Sequence, residues 1–584
     1  MLDKNDPRIK WFEEARFGLF IHWGLYSAAE GYWNGKETKG IGEWIQAREQ
    51  IPIAEYEKLA EKLSCDQFDP KLWAKLAKRA GMSYCVFTSK HHDGFAMFDT
   101  DFDDYSIAKR SPYGKDAVAV VVEAMRAEGI KPCLYYSQAH DWHEPNATGN
   151  TWDFQKPENE RNMWEFINGK CKFQLQEILT RYGDLSLIWM DVPKGLTDEM
   201  AMEIRNFVHD LQPECLVSGR ISYNGSIGDY GCYGDNQIPA GRPSGCWETA
   251  ATMNHSWGYK RNDHNFKSPK ELLELLCSLM GKGTNLLLNI GPKPDGSLTK
   301  ETLDILEKLG DWYEINGEAI QGTEGSPFDC EVSFGTVNQK GNILYLYIYE
   351  PQESIDLYGL QNQVQKVSVL GGGVLDFSQD RLLHIDMSKV VYNPYVTVVK
   401  VELDSEPIVK HGIRQQEKNL VILPAFGCEI TQKVAAQAGG QLEGDAALEA
   451  ENMNLAGVQN MEVDIAGILQ NWRSEQNYLR WEFEVMESGE YDAYLYTLTR
   501  KYEPWVGGHK VHLSCGIAGE SKVLKADCAS RGANHKYFAE TGSCIGTITL
   551  KEGKNVVALY ADEINTADPV GLSVSRLELK RIGK

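Results

Sequence analysis

The sequence predicts an α/β protein: a (β/α)8-type barrel followed by a β-sandwich and a second C-terminal β-sandwich. Three observations carry that reading. Over residues 1–325, short continuous apolar runs alternate with amphipathic helical stretches, as buried parallel strands and their crossover helices require. Five stretches, Ile21-His22-Trp23-Gly24, Lys90-His91-His92-Asp93-Gly94-Phe95, Leu134-Tyr135-Tyr136-Ser137, Leu187-Ile188-Trp189-Met190-Asp191 and Asn285-Leu286-Leu287-Leu288-Asn289, are short apolar runs with polar or aromatic ends. In a parallel barrel such ends gather at one rim. After Gly322 the helical patterning stops and alternating strands take over.

Taken in order, Asp69-Pro70 supplies a cap and a first-turn proline for a helix in which Trp73, Leu76, Ala77 and Ala80 share a face. The β-rich run Tyr84-Cys85-Val86-Phe87-Thr88 follows. A helix over 116–128 leads to Pro132-Cys133-Leu134-Tyr135-Tyr136, a helical stretch over 161–182 leads to Leu185–Asp191, and another over 198–211 leads to Cys215-Leu216-Val217-Ser218. Residues 269–280 are helical, then come Leu286–Ile290 and a last helix over 300–315. Repeated βα units over this length suit a closed barrel better than an open sheet. Residues 326–432, with strands at Asn342–Tyr349 and Tyr395–Val401, form a β-sandwich. Residues 433–445, containing Ala435-Ala436-Gln437-Ala438-Gly439-Gly440, are a linker. Residues 446–584 are a jelly-roll unit in which Tyr478–Val485 alternates in strand fashion.

At 584 residues the chain needs several cores. Its formal charge of −23 argues against nucleic acid or anionic membrane as partner, since both require basic patches. Thirteen cysteines are scattered without a CxxC pair, which fits a reducing compartment better than a disulfide framework. The N-terminus lacks a basic and apolar leader, and no run of about 18 apolar residues occurs. A cytoplasmic location is expected, or secretion where a leader has been removed.

The hexapeptide Lys90-His91-His92-Asp93-Gly94-Phe95, together with Ile21-His22-Trp23-Gly24 and Leu287-Leu288-Asn289-Ile290-Gly291-Pro292, resembles the glycoside hydrolase family of α-L-fucosidases, numbered family 29. The resemblance spans the barrel region. It implies a (β/α)8 barrel followed by a β-sandwich, retaining hydrolysis of terminal α-L-fucose on oligosaccharides or glycoconjugates, and no metal or organic cofactor for catalysis. Retention requires two carboxyl groups about 5–5.5 Å apart, one a nucleophile and one an acid/base. Asp191 closes an apolar strand, where a barrel presents catalytic groups, and the resemblance puts the nucleophile there. It puts the acid/base in Tyr233-Gly234-Asp235-Asn236-Gln237-Ile238-Pro239, on Asp235, where many relatives have Glu. Glu248, in Trp247-Glu248-Thr249, is the rival and is alternatively a structural group beneath the sugar; Asp229 is a third candidate.

The same resemblance assigns sugar contacts to His22, Glu43, Trp44, His91, His92, Tyr136, Arg220 and Trp257. Neutral imidazoles exchange hydrogen bonds with hydroxyls, and aromatic rings cover apolar sugar faces. Strand alternation allows only one of Tyr135 and Tyr136 to face inward, and Tyr136 is taken. The same alternation argues against His91 and His92 sharing a metal, and no HxH or HExxH spacing supports one. Gly281-Lys282-Gly283-Thr284 lacks the full phosphate-loop pattern and reads as a turn. The C-terminal unit resembles jelly-roll carbohydrate-binding modules. That likeness makes Glu449 and Glu451 a structural calcium site, and Trp472, Tyr502 and Trp505 either sugar-stacking or core residues. Two other functions fit the same residues: a fucose-binding lectin that lost turnover, and a glycosidase for a related sugar.

Overall fold

The computed structural model describes all residues except 240, 329–331, 413, 418, 432–460, 464–466, 501–506, 525–537, 566, 569–570 and 584. They divide into two compact units. The first comprises Met1–Asp235, Ser244–Leu276 and Thr284–Gly322; the second comprises Asn236–Pro243, Cys277–Gly283 and Thr323–Lys584.

The first unit is built on parallel strands β1 (Phe17–Ile21), β2 (Tyr84–Lys90), β3 (Lys131–Tyr136), β4 (Leu187–Met190), β5 (Leu216–Val217), β6 (Gly231–Cys232), β7 (Trp247–Thr252) and β8 (Asn285–Ile290). They pair in the order β5-β4-β3-β2-β1-β8-β7-β6. A parallel bridge between Ser218 and Tyr230, with the Asp229 amide donating to the Val217 carbonyl at 2.8 Å, joins β5 to β6 and closes the ring. Helices α1 (Pro7–Ala15), α2 (Pro70–Arg79), α3 (Ala117–Ala127), α4 (Lys172–Arg181), α5 (Asp198–Leu211), α6 (Pro269–Gly281) and α7 (Lys300–Asn316) accompany the strands. The capping logic holds at α2: Asp69 accepts from the Leu72 amide at 3.0 Å, Pro70 opens the helix, and Trp73, Ala74, Leu76 and Ala77 are buried. The segment Gly281-Lys282-Gly283-Thr284 is the turn into β8, with Gly283 at φ +68°.

The barrel departs from eight regular βα units at one place. Between Ser218 and Trp247 the only helical segment among the described residues is a 3-10 turn, Gly219–Ile221, where a regular barrel has two crossover helices. Strands β6 and β7 escape the sequence reading because β6 has two residues and Trp247-Glu248-Thr249-Ala250-Ala251-Thr252 is not an apolar run. Close packing marks the spot instead: a Cβ on Gly231 would lie 2.4 Å from the Trp247 ring.

In the second unit, Gly335–Lys340, Ile343–Ile348, Thr397–Leu403 and Val364–Val369 form one sheet, and Ser354–Tyr358, Leu382–Asp386 and Phe377–Gln379 another. Their inward residues, among them Leu344, Leu346, Leu357 and Leu383, share a core. The expected boundary at 432 is corrected. Leu420–Pro424 pairs antiparallel with Leu572–Arg581, and Glu429–Thr431 pairs with Tyr478–Val485. Val421 and Leu423 are buried in one core with Trp481 and Leu577, so these strands belong to the last sandwich. Trp472 is fully buried there, its indole N–H donating to the Ser474 carbonyl at 3.0 Å; it is a core residue. The linker at 433–445, the calcium candidates Glu449 and Glu451, and Tyr502 and Trp505 lie outside the described residues. No helix among the described residues is long and apolar enough to cross a membrane.

Candidate active site

Strand β4 is buried along its length, and alternation puts Trp189 and Asp191 on the inner face, with Asp191 one step past the strand end. Its carboxylate is held from several sides. The Tyr135 hydroxyl donates to Oδ2 at 2.9 Å. Arg220 donates to Oδ1 through Nε at 2.9 Å and approaches it through Nη2 at 2.7 Å. The Val192 amide also donates to Oδ1, at 3.0 Å. Burial pushes the Asp191 carboxyl above the ordinary aspartate value; Arg220 and Tyr135 pull it down and the neighbouring Asp235 pushes it up. Arg220 stands on the 3-10 turn after β5 and uses its remaining nitrogen, Nη1, on Asp235 Oδ1 at 2.7 Å. One guanidinium therefore touches both carboxyl groups. The Asp191 side chain is 12% exposed and that of Asp235 26%, which puts Asp235 on the more open side.

The imidazoles beside this pair have defined tautomers. Asn289 Nδ2 donates to the Trp257 carbonyl at 2.8 Å, so its Oδ1 must accept, and His22 Nδ1, 2.7 Å away, carries the proton. Burial pushes His22 down to about 4, leaving it neutral with a lone pair on Nε2. The Ser137 hydroxyl donates to the His140 carbonyl at 2.8 Å and so accepts from His92 Nδ1 at 2.7 Å. His92 Nε2 is buried, lies 3.6 Å from Asp191 Oδ2 and has no hydrogen-bond partner among the described residues. Burial also holds His91 and His92 well below the usual histidine range. Trp257 packs 5.2 Å from His22, and the half-buried Trp44 packs edge-on to His92 at 5.2 Å. Glu43 is buried beneath, its Oε2 accepting from the Gly258 amide at 3.0 Å.

A family model described as alpha-L-fucosidase matches residues 2–318, over half of the chain. The chain belongs to the α-L-fucosidase family. Rat tissue α-L-fucosidase is 28% identical over 402 residues, covering 64% of this chain and 84% of the rat protein. An α-L-fucosidase structure from Vibrio sp. strain EJY3 superposes with a TM-score of 0.81 at 26% identity, covering 99% of this chain and 98% of its own. A Bacteroides thetaiotaomicron α-L-fucosidase, captured as a covalent intermediate with 2-fluoro-fucosyl fluoride, matches with a TM-score of 0.63 at 25% identity, covering 69% and 98%. The protein is thus a glycoside hydrolase of fucosidase type, acting on fucosylated glycans.

Several residues of this fucosidase sit where the sequence reading did not put them. Tyr136 faces outward: its hydroxyl donates to Gln174 Oε1 on α4 at 3.0 Å, and Lys90 Nζ lies 4.4 Å from its ring centre. Tyr135 is the inward tyrosine, and this corrects the expectation. His91 and His92 lie beyond the last residue of β2, so strand alternation does not separate them, and their rings are 4.2 Å apart. Glu248 is deep in the barrel. It is in register with Asn285, the first residue of β8, whereas Asn289 is four residues further along that strand, about 13 Å at the usual rise per residue. Asp229 is buried between Arg205 at 2.7 Å and His209 at 2.9 Å on α5; against the cost of burial, those partners hold it below the usual aspartate value.

The sequence reading missed His140, whose ring packs 5.1 Å from His92 and 5.9 Å from Trp44. It missed Gln138 as well, which accepts from the Asp191 amide at 2.8 Å. Both follow β3 in the same polar strand-end pattern that singled out the other rim residues. Among the described residues, no group of three or more His, Cys, Asp and Glu side chains is arranged to hold a metal ion.

Proposed function

We propose that this fucosidase removes terminal α-L-fucose with retention, by double displacement, using Asp191 as nucleophile and Asp235 as acid/base. The observation that carries the reading is Arg220, whose guanidinium contacts Asp191 and Asp235 together at the rim. A guanidinium shared by two carboxyl groups supports reading them as a retaining pair, for which the usual spacing is about 5–5.5 Å. In the first step an Asp191 oxygen bonds to the anomeric carbon as the glycosidic bond breaks, and the leaving oxygen takes the Asp235 proton. In the second, Asp235 takes a proton from water, the water oxygen bonds to the same carbon, and Asp191 leaves as carboxylate. The trapped covalent species of the Bacteroides relative supports this sequence.

Asp235 must turn from Arg220 toward the glycosidic oxygen to serve as the acid. His22 and His92 each keep an unprotonated Nε2, suited to accept from sugar hydroxyls, and Trp44 and Trp257 offer apolar ring faces. Two carboxyl groups supply nucleophile and proton, so the chemistry calls for no metal or organic cofactor. Glu248 lies four residues below Asn289 in strand register, engaged by Tyr84, Trp189 and Tyr230 and with the Trp189 indole between it and Asp191, which favours Asp235 over it as the acid/base.

Asp191→Ala is expected to lower turnover of an aryl fucoside by about 10³-fold or more with the fold intact; near-normal turnover would remove Asp191 from the mechanism. Azide is expected to restore turnover to Asp235→Ala by replacing the water that no longer has a base. Fucose binding without hydrolysis by the unmodified protein would return the lectin reading.

A further inference from the structure

Glu248 is a buried carboxyl that the double displacement does not use. It is 1% exposed, and it accepts from the Tyr84 hydroxyl at 2.6 Å, from the Trp189 indole N–H at 2.7 Å and from the Tyr230 hydroxyl at 3.4 Å. Burial pushes the Glu248 carboxyl up to about 7 against these three donors, which pull it down, and in either form its oxygens can accept from the Trp189 N–H. Placing such a group in a core of aromatic rings is costly compared with an apolar side chain of similar volume. Its position relative to Asp191 gives it a use.

Trp189 lies between them. It precedes Asp191 by two residues on the same strand face, so the indole forms the layer beneath the nucleophile. The Arg220 guanidinium rests over the indole, 5.0 Å from the ring centre. The Tyr135 ring stacks against it at 5.7 Å with an interplanar angle of 20°. These are the two side chains that grip the two oxygens of Asp191. The indole carries one polar atom, and Glu248 is the acceptor for it.

We propose that Glu248 is a positioning residue for the nucleophile: by anchoring the Trp189 indole, it sets the height at which Arg220 and Tyr135 meet Asp191. The inference rests on the assignment of Asp191. The groups facing Glu248 are Tyr84, Tyr230, Cys133, Cys232 and Arg220. Those facing Asp191 are Arg220, Asp235, Tyr135 and His92. Arg220 and Tyr135 favour the ionised form of Asp191, so loosening either raises the pH at which Asp191 takes up a proton. The acidic limb of kcat/KM, which reports the essential base of the free enzyme, then moves to higher pH.

The test uses the full chain, with aryl fucosides of good and poor leaving groups, and three variants. Glu248→Leu removes the acceptor at similar volume. Glu248→Gln keeps an acceptor for the indole, while the Tyr84 hydroxyl is able to turn and accept from the new amide. Trp189→Phe keeps a ring but removes the anchored N–H, and stands in for Glu248→Leu should that variant not fold. We expect Glu248→Leu and Trp189→Phe to lower kcat/KM by about tenfold or more, by the same factor for both leaving groups and without azide rescue. Their acidic limbs should rise by about half a pH unit or more, and Glu248→Gln should keep the wild-type limb. An unmoved limb in the Leu and Phe variants overturns the inference and leaves Glu248 as packing alone. A loss confined to poor leaving groups and repaired by azide overturns it in favour of an acid/base role. If Asp191→Ala is inactive while the limb stays put, this inference fails alone; if Asp191→Ala is active, it falls together with the nucleophile assignment.

Discussion

Val192, the residue after Asp191, has φ +45°, in the left-handed region that β-branched side chains avoid. That turn brings its amide back onto Asp191 Oδ1 at 3.0 Å, an extra donor for the carboxylate from the adjoining peptide. Strain of this kind costs about 1–3 kcal/mol and persists where the surroundings enforce it. Glycine takes the same conformation freely, at a cost of about 0.5–1 kcal/mol in unfolded-state entropy. Val192→Gly is therefore expected to raise the thermal midpoint, by up to about 2 kcal/mol of added stability; a lower midpoint would mean the side chain contributes more through packing than it costs in strain. Legibility differs among the residues around it. The polar ends of His22, His91-His92 and Asp191 are marked by the apolar runs before them. The Tyr135 and Tyr136 pair is not, because both are aromatic and both are fully buried, one inside the barrel and one beneath α4.

Among the elements, the weakest part of the barrel is its closure. Strands β5 and β6 contribute two residues each, and no crossover helix lies between Ser218 and Trp247 among the described residues. Backbone proximity takes the place of strand length. The Trp247 ring lies over Gly231, stacks on Tyr233 at 4.7 Å and donates its N–H to the Ser244 carbonyl at 2.8 Å, so it has little freedom to move. Gly231→Ala puts a methyl into that ring and is expected to destabilise the fold by about 1–3 kcal/mol, the usual cost of overpacking. Unfolding in denaturant checks it: an unchanged midpoint would show that the closure yields easily. Arg220 and Asp235 both come from this segment, so a loose closure there should also reduce kcat. The regular elements gave no such difficulty to sequence reading. Asp69-Pro70 and the helical stripe of α2 are local signals, and the helix forms where they predict it.

For the whole molecule, domain organisation is decided by pairing between distant segments. Lys410 closes the first sandwich, its amide donating to the Gly359 carbonyl at 2.8 Å, whereas Leu420–Pro424 completes the last one. A chain ended after Lys410 is expected to be soluble. One ended at 432 carries Val421 and Leu423, fully buried in the complete protein, without the strand Leu572–Arg581 that covers them, and is expected to aggregate. Comparing the two by size-exclusion chromatography checks the boundary; equal solubility would restore it to 432. The same reasoning accounts for Glu248. A Trp-Glu dipeptide near a candidate catalytic loop looks chemically promising, and only the register of β7 against β8 shows it to be a strand's length below the rim.

By itself, the sequence determined the barrel class, the family, the rim histidines and the position of Asp191 at a strand end. Those properties are local: hydrophobic periodicity, caps and strand-end motifs need no knowledge of distant partners. Only the tertiary structure decided which tyrosine faces Asp191, how deep Glu248 lies, how Arg220 joins Asp191 to Asp235, and where one sandwich ends and the next begins. Each depends on strand register and long-range pairing. A one-residue shift in register reverses which side chains face the core, and the local pattern of apolar residues does not record it.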